Sequence, residues 1–196
     1  EKKEGLYNFT IEFPDELLQE LETGASVAVN GVCFTVTRIE DRKVSFDAIA
    51  ETLALSNIQF IEEGTQVNIE RSAKSGAEVG GHILSGHIVG TSELLSIEES
   101  SNNKRLTFEG KPDWLKFVFE KGFLAVNGCS LTVAALDRQK HQFAINLIPE
   151  TLARTNFALL KAGDPVNIEI ESQTQVIVET VERIMEQRFP KQSPTA

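Results

Sequence analysis

The chain has 196 residues with 29 Asp and Glu against 19 Lys and Arg, and a net charge of −10. No basic cluster breaks that acidic balance, which excludes nucleic acid as a partner. No apolar run approaches the roughly 20 residues of a membrane span, and Glu1-Lys2-Lys3-Glu4 lacks the apolar segment of a signal peptide, so the composition predicts a soluble, cytoplasmic protein with no membrane partner.

Tyr7 to Phe13 alternates and predicts a strand; Pro14 to Leu21, with acids in its first turn, predicts a short helix that Gly24 ends. Ala25 to Ile39 reads as one strand, Asp41-Arg42 as a turn, and Lys43 to Ile49 as the strand that pairs back. Glu51 to Asn57 is a helical turn and Thr65 to Arg71 a further strand, while the small, Gly-containing Ser72 to Gly81 suits a linker or mobile loop. His82 to Ile97 predicts a long strand, followed by a strand over Leu106 to Glu109, a helix over Pro112 to Glu120, a strand over Phe123 to Leu136 and its partner over Gln142 to Leu147.

The second half repeats the first. Ala28-Val29-Asn30-Gly31-Val32-Cys33-Phe34-Thr35-Val36 returns as Ala125-Val126-Asn127-Gly128-Cys129-Ser130-Leu131-Thr132-Val133. Glu51 to Asn57 returns as Glu150 to Asn156, and Gly64 to Glu70 as Gly163 to Glu169. Three matched blocks in one order, with a period of about 100 residues, mark a duplicated domain rather than a solenoid. Short strands, Gly turns and one small helix per copy predict an all-β fold of two similar small antiparallel β-barrels of Greek-key type plus a C-terminal α-helix. The expected division is 1–81 for the first barrel, 82–171 for the second, 172–189 for the helix and 190–196 for a tail. The counterpart of His82 to Ile97 in the first copy falls before residue 1, so the first barrel is expected to lack its opening strand and to expose an edge.

In the tail, Ser172-Gln173-Thr174-Gln175 fits a capping box. Ile177, Val181 and Ile184 form one stripe of the helix that follows, and Pro190 stops it. Such a helix docks on its own subunit or packs against copies of itself; the near-heptad stripe favours self-association.

Side chains alternate along a strand, so Cys33 and Thr35 share one face and Ser130 and Thr132 the equivalent face, a small polar pair in each copy. Neither cysteine has a CxxC neighbour, and both are expected as free thiols. His82 and His87, five residues apart, fall on opposite faces of a strand and do not make a two-His metal pair, so no metal is expected. Ser85 and His87 share a face, and a neutral imidazole beside hydroxyls suits a general base near pH 7. His141 lies in a turn. No nucleotide-binding glycine motif is present.

Laid out together, these blocks resemble riboflavin synthases. The resemblance rests on Val29-Asn30-Gly31 with Thr35-Val36, on Gly80-Gly81-His82 with Ser85-Gly86-His87, on Glu51-Thr52-Leu53, and on Ser130-Leu131-Thr132 with Leu147-Ile148-Pro149-Glu150-Thr151-Leu152. Members of that family normally begin with a Met-Phe-Thr-Gly-Ile type strand, consistent with the absent strand inferred above. The resemblance implies dismutation of two molecules of 6,7-dimethyl-8-ribityllumazine to riboflavin and 5-amino-6-ribitylamino-2,4(1H,3H)-pyrimidinedione. It also implies a homotrimer held by the C-terminal helices, with no cofactor. Substrate contacts carried over by motif are Cys33, Phe34, Thr35, Asp47, Ala48, Ile49, Ala50, Glu51, Thr52, Gly86, His87 and Ile88 in the first copy. In the second they are Lys121, Ser130, Leu131, Thr132, Asn146, Leu147, Ile148, Pro149, Glu150 and Thr151. Cys33, Thr35, His87, Ser130 and Thr132 are the expected catalytic set, with His87 moving a proton at the acidic lumazine methyl and Cys33 or a water adding to the ring. Two other readings are a non-catalytic lumazine-holding relative and a ligand-free interaction module.

Overall fold

The computed structural model describes residues 2–3 and 5–189; the expected tail 190–196 and its Pro190 lie outside them. Strands dominate, in two antiparallel assemblies. The first is an open sheet in the order β1-β2-β5-β4-β3-β6, built from Lys2–Lys3 (β1), Leu6–Glu12 (β2), Ser26–Val29 (β3), Val32–Glu40 (β4), Lys43–Ile49 (β5) and Ile69–Arg71 (β6). The second is a closed barrel in the order β10-β11-β8-β7-β12-β9, from Gly90–Ser100 (β7), Asn103–Glu109 (β8), Phe123–Val126 (β9), Cys129–Asp137 (β10), Gln142–Leu147 (β11) and Pro165–Ile170 (β12). In the barrel β7 bridges β8 and β12; in the open sheet the corresponding strands are β2 and β6, and β2 carries β1 instead.

The duplication reaches the cores. Phe9 lies opposite Phe46 across β2 and β5, and their rings stack at 5.5 Å. Phe108 lies opposite Phe143 across β8 and β11 and stacks at 5.2 Å. Each ring is at least nine-tenths buried, and burying a Phe contributes on the order of 1.5–3 kcal/mol. The strand after each repeated motif also bends at the same place, with register shifts between Val36 and Arg38 and between Val133 and Ala135.

The structure corrects several sequence readings. The segments Ala25 to Ile39 and Phe123 to Leu136 are hairpins, not single strands. Asn30-Gly31 and Asn127-Gly128 all have positive φ, the signature of the two-residue turn that Asn-Gly favours, and they fold β4 onto β3 and β10 onto β9. The strand expected over His82 to Ile97 begins only at Gly90, and residues 72–89 form no strand at all. The expected strand Thr65 to Arg71 is confined to β6. The helices are shorter than expected: Asp15–Leu18 (α1), Ala50–Leu55 (α2), Pro112–Leu115 (α3) and Pro149–Arg154 (α4).

The C-terminal helix Ser172–Arg188 (α5) starts one residue earlier than the supposed capping box allows. Its N-cap is Glu171, whose carboxylate accepts the Gln173 and Thr174 N–H groups at 3.0 and 2.6 Å. Val178 packs against the barrel core and Glu182 pairs with Lys116 at 2.6 Å, so that side of α5 is docked. Ile177, Val181 and Ile184 stay 63, 54 and 44% exposed, a bare apolar stripe on the other side. Among the described residues no helix is long and apolar enough to cross a membrane.

The two assemblies meet through six asparagines in repeat-related pairs, Asn30 with Asn127, Asn57 with Asn156 and Asn68 with Asn167. Asn167 Nδ2 donates to Asn30 O and Asn57 Oδ1 at 2.9 and 2.8 Å, while its Oδ1 accepts the Asn57 N–H at 2.6 Å. The mate bonds run from Asn68 Nδ2 to Asn127 O at 2.9 Å and from the Asn156 N–H to Asn68 Oδ1 at 2.8 Å. Buried amides of this kind hold two surfaces in one register because any other register leaves them unpaired. At the centre the two hairpin tips touch backbone to backbone: a Cβ on Gly31 would sit 2.6 Å from Gly128 N.

Candidate active site

The hairpins that join the halves also present the polar pairs. Along β4, Val32, Phe34 and Val36 are buried while Cys33 and Thr35 are exposed, as the alternation predicts. Phe34 packs edge-on against Phe9 at 5.0 Å, which leaves only its backbone for a ligand. Val36 lies opposite Phe46, and this register sets Thr35 beside Asp47 and the start of α2, where Asp47, Ile49, Ala50 and Glu51 are exposed, Thr52 half-buried and Ala48 buried. Val133 lies opposite Ile145, which sets Thr132 beside Asn146 in the same way. Around it Lys121, Asn146, Ile148, Pro149 and Glu150 are exposed, Ser130, Leu131 and Thr151 half-buried, and Leu147 buried. The register thus sets Asp47 beside Thr35 and Asn146 beside Thr132, with residues 48–52 and 147–151 following each in the chain.

The segment 81–88 reaches both hairpins. A Gly-His dipeptide occurs in it twice, and each glycine, with φ of +75 and +79°, lies against the equivalent strand residue of a different half. A Cβ on Gly86 would sit 2.5 Å from Cys33 Cβ, and one on Gly81 would collide with Ser130 Oγ. Only glycine permits this approach. The contact at Cys33 is fixed by its N–H donating to Gly86 O at 3.1 Å.

A residue that sequence reasoning missed anchors this loop. Glu169 on β12 is 4% exposed; its carboxylate accepts the Ser85 N–H at 2.6 Å, the Ser85 hydroxyl at 2.8 Å and the Gly86 N–H at 3.1 Å. Ser85 Oγ lies 3.0 Å from His87 Nδ1, so a chain of contacts runs from buried carboxylate to hydroxyl to exposed imidazole. The signal was present in the repeated Val-Asn-Ile-Glu block, whose alternation puts Asn167 and Glu169 on the face opposite the barrel core.

His82 was also missed. Its N–H donates to Ser130 Oγ at 3.1 Å, its Nδ1 lies 2.5 Å from the same oxygen, and its ring stacks on Phe123 at 5.3 Å. The strand reading had set His82 and His87 on opposite faces; in the loop each serves its own hairpin. Burial pushes the His82 imidazole below its ordinary range, against the opposing pull of the Glu171 and Glu169 carboxylates.

Both cysteines are free thiols, but only Cys33 is exposed. Desolvation, with the Glu70 carboxylate adding to it, pushes the Cys129 thiol up to about 12, leaving it un-ionised at neutral pH. Iodoacetamide at pH 8 is expected to alkylate Cys33 and spare Cys129 in the folded protein, with peptide mass mapping as the check. Equal labelling of the two would contradict this difference.

Comparison with known proteins follows the same division. Residues 1–72 and 85–171 match the family model described as the lumazine binding domain. The chain is 45% identical over 189 residues, 96% of its length and 88% of the relative's, to a riboflavin synthase of Escherichia coli (strain K12). It is 44% identical over 165 residues, 84% of its length and 80% of the relative's, to a riboflavin synthase of Chlamydia pneumoniae. Among solved structures, LumP complexed with riboflavin matches 87% of this chain and 91% of its own, with a TM-score of 0.79 and 26% identity. LumP complexed with 6,7-dimethyl-8-(1'-D-ribityl) lumazine has the same fold, with a TM-score of 0.79 at 24% identity.

Proposed function

This chain belongs to the riboflavin synthase family, with the lumazine-binding domain in two copies, and from that premise we propose how its residues divide the reaction. The activity is dismutation: one 6,7-dimethyl-8-ribityllumazine gives up a four-carbon unit to a second, yielding riboflavin and 5-amino-6-ribitylamino-2,4(1H,3H)-pyrimidinedione. Such a reaction asks for two versions of one binding site. The twin hairpins answer that need, and of the three positions at which their repeated motifs differ, Cys33 against Ser130 gives the two bound molecules different neighbours.

In this reading the first half-site is made by Cys33, the Phe34 backbone, Thr35, residues 47–52 and Gly86 to Ile88. The second is made by Lys121, Ser130 to Thr132 and residues 146–151. The proposed domain division is 1–81, 82–171 and 172–189, with Gly86 to Ile88 of the second domain completing the first half-site. Holding two lumazines face to face removes the entropy of their encounter, so positioning supplies much of the acceleration without a cofactor. His87, oriented through Ser85, takes the proton from the acidic methyl of one lumazine, and Cys33 or a water adds to the ring of the other.

The observation that carries the proposal is the placement of Ser85-Gly86-His87 directly over Cys33. Mixing the protein with the lumazine and following riboflavin absorbance tests it: turnover supports the enzyme, binding without turnover the lumazine-holding alternative, and neither a ligand-free module. His87→Ala is expected to lower turnover by roughly 10²-fold, the usual loss of a proton-transfer group, and Cys33→Ser to lower it by putting a weaker nucleophile in place of the thiol. Wild-type turnover in both would remove these two residues from the mechanism.

The bare stripe of Ile177, Val181 and Ile184 supports a homotrimer in which α5 packs against its copies, the first half-site of one subunit facing the second of its neighbour. Sedimentation velocity at trimer mass is the expected result. The cytoplasm, where both thiols stay reduced, is the proposed location.

A further inference from the structure

The structure assigns a proton-relay pair to the second half-site: His82 takes the Ser130 hydroxyl proton as Ser130 takes one from the bound lumazine. This rests on the reading above, in which Ser130 faces substrate, and extends it to a histidine outside every contact set named there.

The geometry around Ser130 Oγ permits the relay. The oxygen accepts the His82 N–H at 3.1 Å and lies 2.5 Å from His82 Nδ1, so it can donate its own proton to that nitrogen and keep a further lone pair for a substrate proton. The relay uses the His82 tautomer protonated at Nε2. That nitrogen is buried and has no acceptor among the described residues. Among the described residues no carboxylate bonds to the ring directly, and burial, which pushes the imidazole below its ordinary range, keeps it neutral at rest. Two charged groups face it, Glu171 at the cap of α5 and Glu169 on β12, and both favour the imidazolium once it forms. Stacking on Phe123 holds the ring plane, and Gly81 removes the side chain that would wedge the histidine away from Ser130.

The step balances. A bond from the substrate to hydrogen breaks and an O–H bond forms on Ser130; the original Ser130 O–H breaks and an N–H bond forms on His82 Nδ1. The imidazolium returns its proton through the same hydroxyl when a later step needs an acid. His82 is not placed against the substrate and acts only through Ser130. The chain thus carries one imidazole per half-site, His87 with Cys33 and His82 with Ser130.

His82→Asn is the informative variant, because Asn Oδ1 can take the place of Nδ1 as an acceptor for Ser130 but does not titrate. Expected are a KM for the lumazine within a few-fold of wild type and a kcat lowered on the order of 10²-fold. The fall of wild-type kcat at acid pH, where His82 becomes protonated and can no longer accept, is expected to lose its His82 component. Ser130→Ala in the His82→Asn background should cost little more than either change alone, since both remove one step. Wild-type kcat in His82→Asn, an unchanged acid limb, or losses that multiply would each overturn the relay. A second measurement stands without turnover and covers a variant that fails to fold: NMR titration of the His82 ring in wild type and Ser130→Ala. Removing the hydroxyl that donates to the neutral ring should raise the His82 pKa and leave His141 unmoved, and no movement would overturn the pairing. A wild-type protein that makes no riboflavin sinks the proposed function instead, a result distinct from an active wild type with an indifferent His82→Asn.

Discussion

Gly31→Ala is expected to cost the protein about 3–5 kcal/mol, near the upper limit for a point substitution. Two independent terms add. The residue has φ of +81°, where an L side chain costs roughly 1–2 kcal/mol. Its new Cβ would also stand 2.6 Å from Gly128 N and 2.8 Å from Gly128 Cα, and backbone cannot swing aside as a flexible side chain can. Relief requires the two hairpin tips to part, which would stretch the bonds from Asn167 to Asn30 and Asn57. Gly24→Ala is the control, because Gly24 has φ of +90° and nothing within 4 Å, so only the conformational term of about 1–2 kcal/mol applies. Urea unfolding with a shared m-value separates them. Equal midpoints for the two variants would show that contact between the tips contributes nothing.

Glu169→Ala is expected to lower riboflavin formation by roughly 10²-fold, the scale on which a reacting group displaced by about 1 Å loses rate. The carboxylate holds the Ser85 N–H, the Ser85 hydroxyl and the Gly86 N–H, and alanine would release all three, freeing Gly86 from Cys33 and His87 from its hydroxyl partner. Ser85→Ala removes one of those bonds and should lose less. Glu169→Gln keeps the shape but presents an amide nitrogen to a cluster of donors, and should fall between. Turnover and lumazine binding, measured on protein shown by its unfolding curve to remain native, decide the matter. Undiminished turnover in Glu169→Ala would mean that the loop keeps its place without the anchor.

Much of the fold was legible because period-2 alternation and the repeat agree. Lys43–Ile49 and Gln142–Leu147 are strands over the residues expected, and Cys33 and Thr35 face outward as the pattern requires. The hairpin was missed although Asn-Gly is a strong turn signal, because the apolar residues on either side continue as if uninterrupted. The missed site residues have a different cause. A strand assumed across residues 82–97 fixed which way each side chain faced and parted His82 from any partner. The glycines at 81 and 86 let the chain leave that regular path, and what they approach, Cys33 and Ser130, lies far away in sequence. Glu169 looked like one more acid in an acidic chain; its importance comes from three donors brought to it by a loop more than eighty residues upstream.

Gly81 and Gly86, each seated on a different hairpin, lie on one tether that spans at most about 18 Å when fully extended. The consequence is kinetic. A segment without regular structure opens at a lower free energy than the sheets beneath it. Both histidines ride on this segment, so its local opening is expected to displace them together, at a frequency set by the few bonds that pin residues 81 to 88 to the surface rather than by the stability of either half.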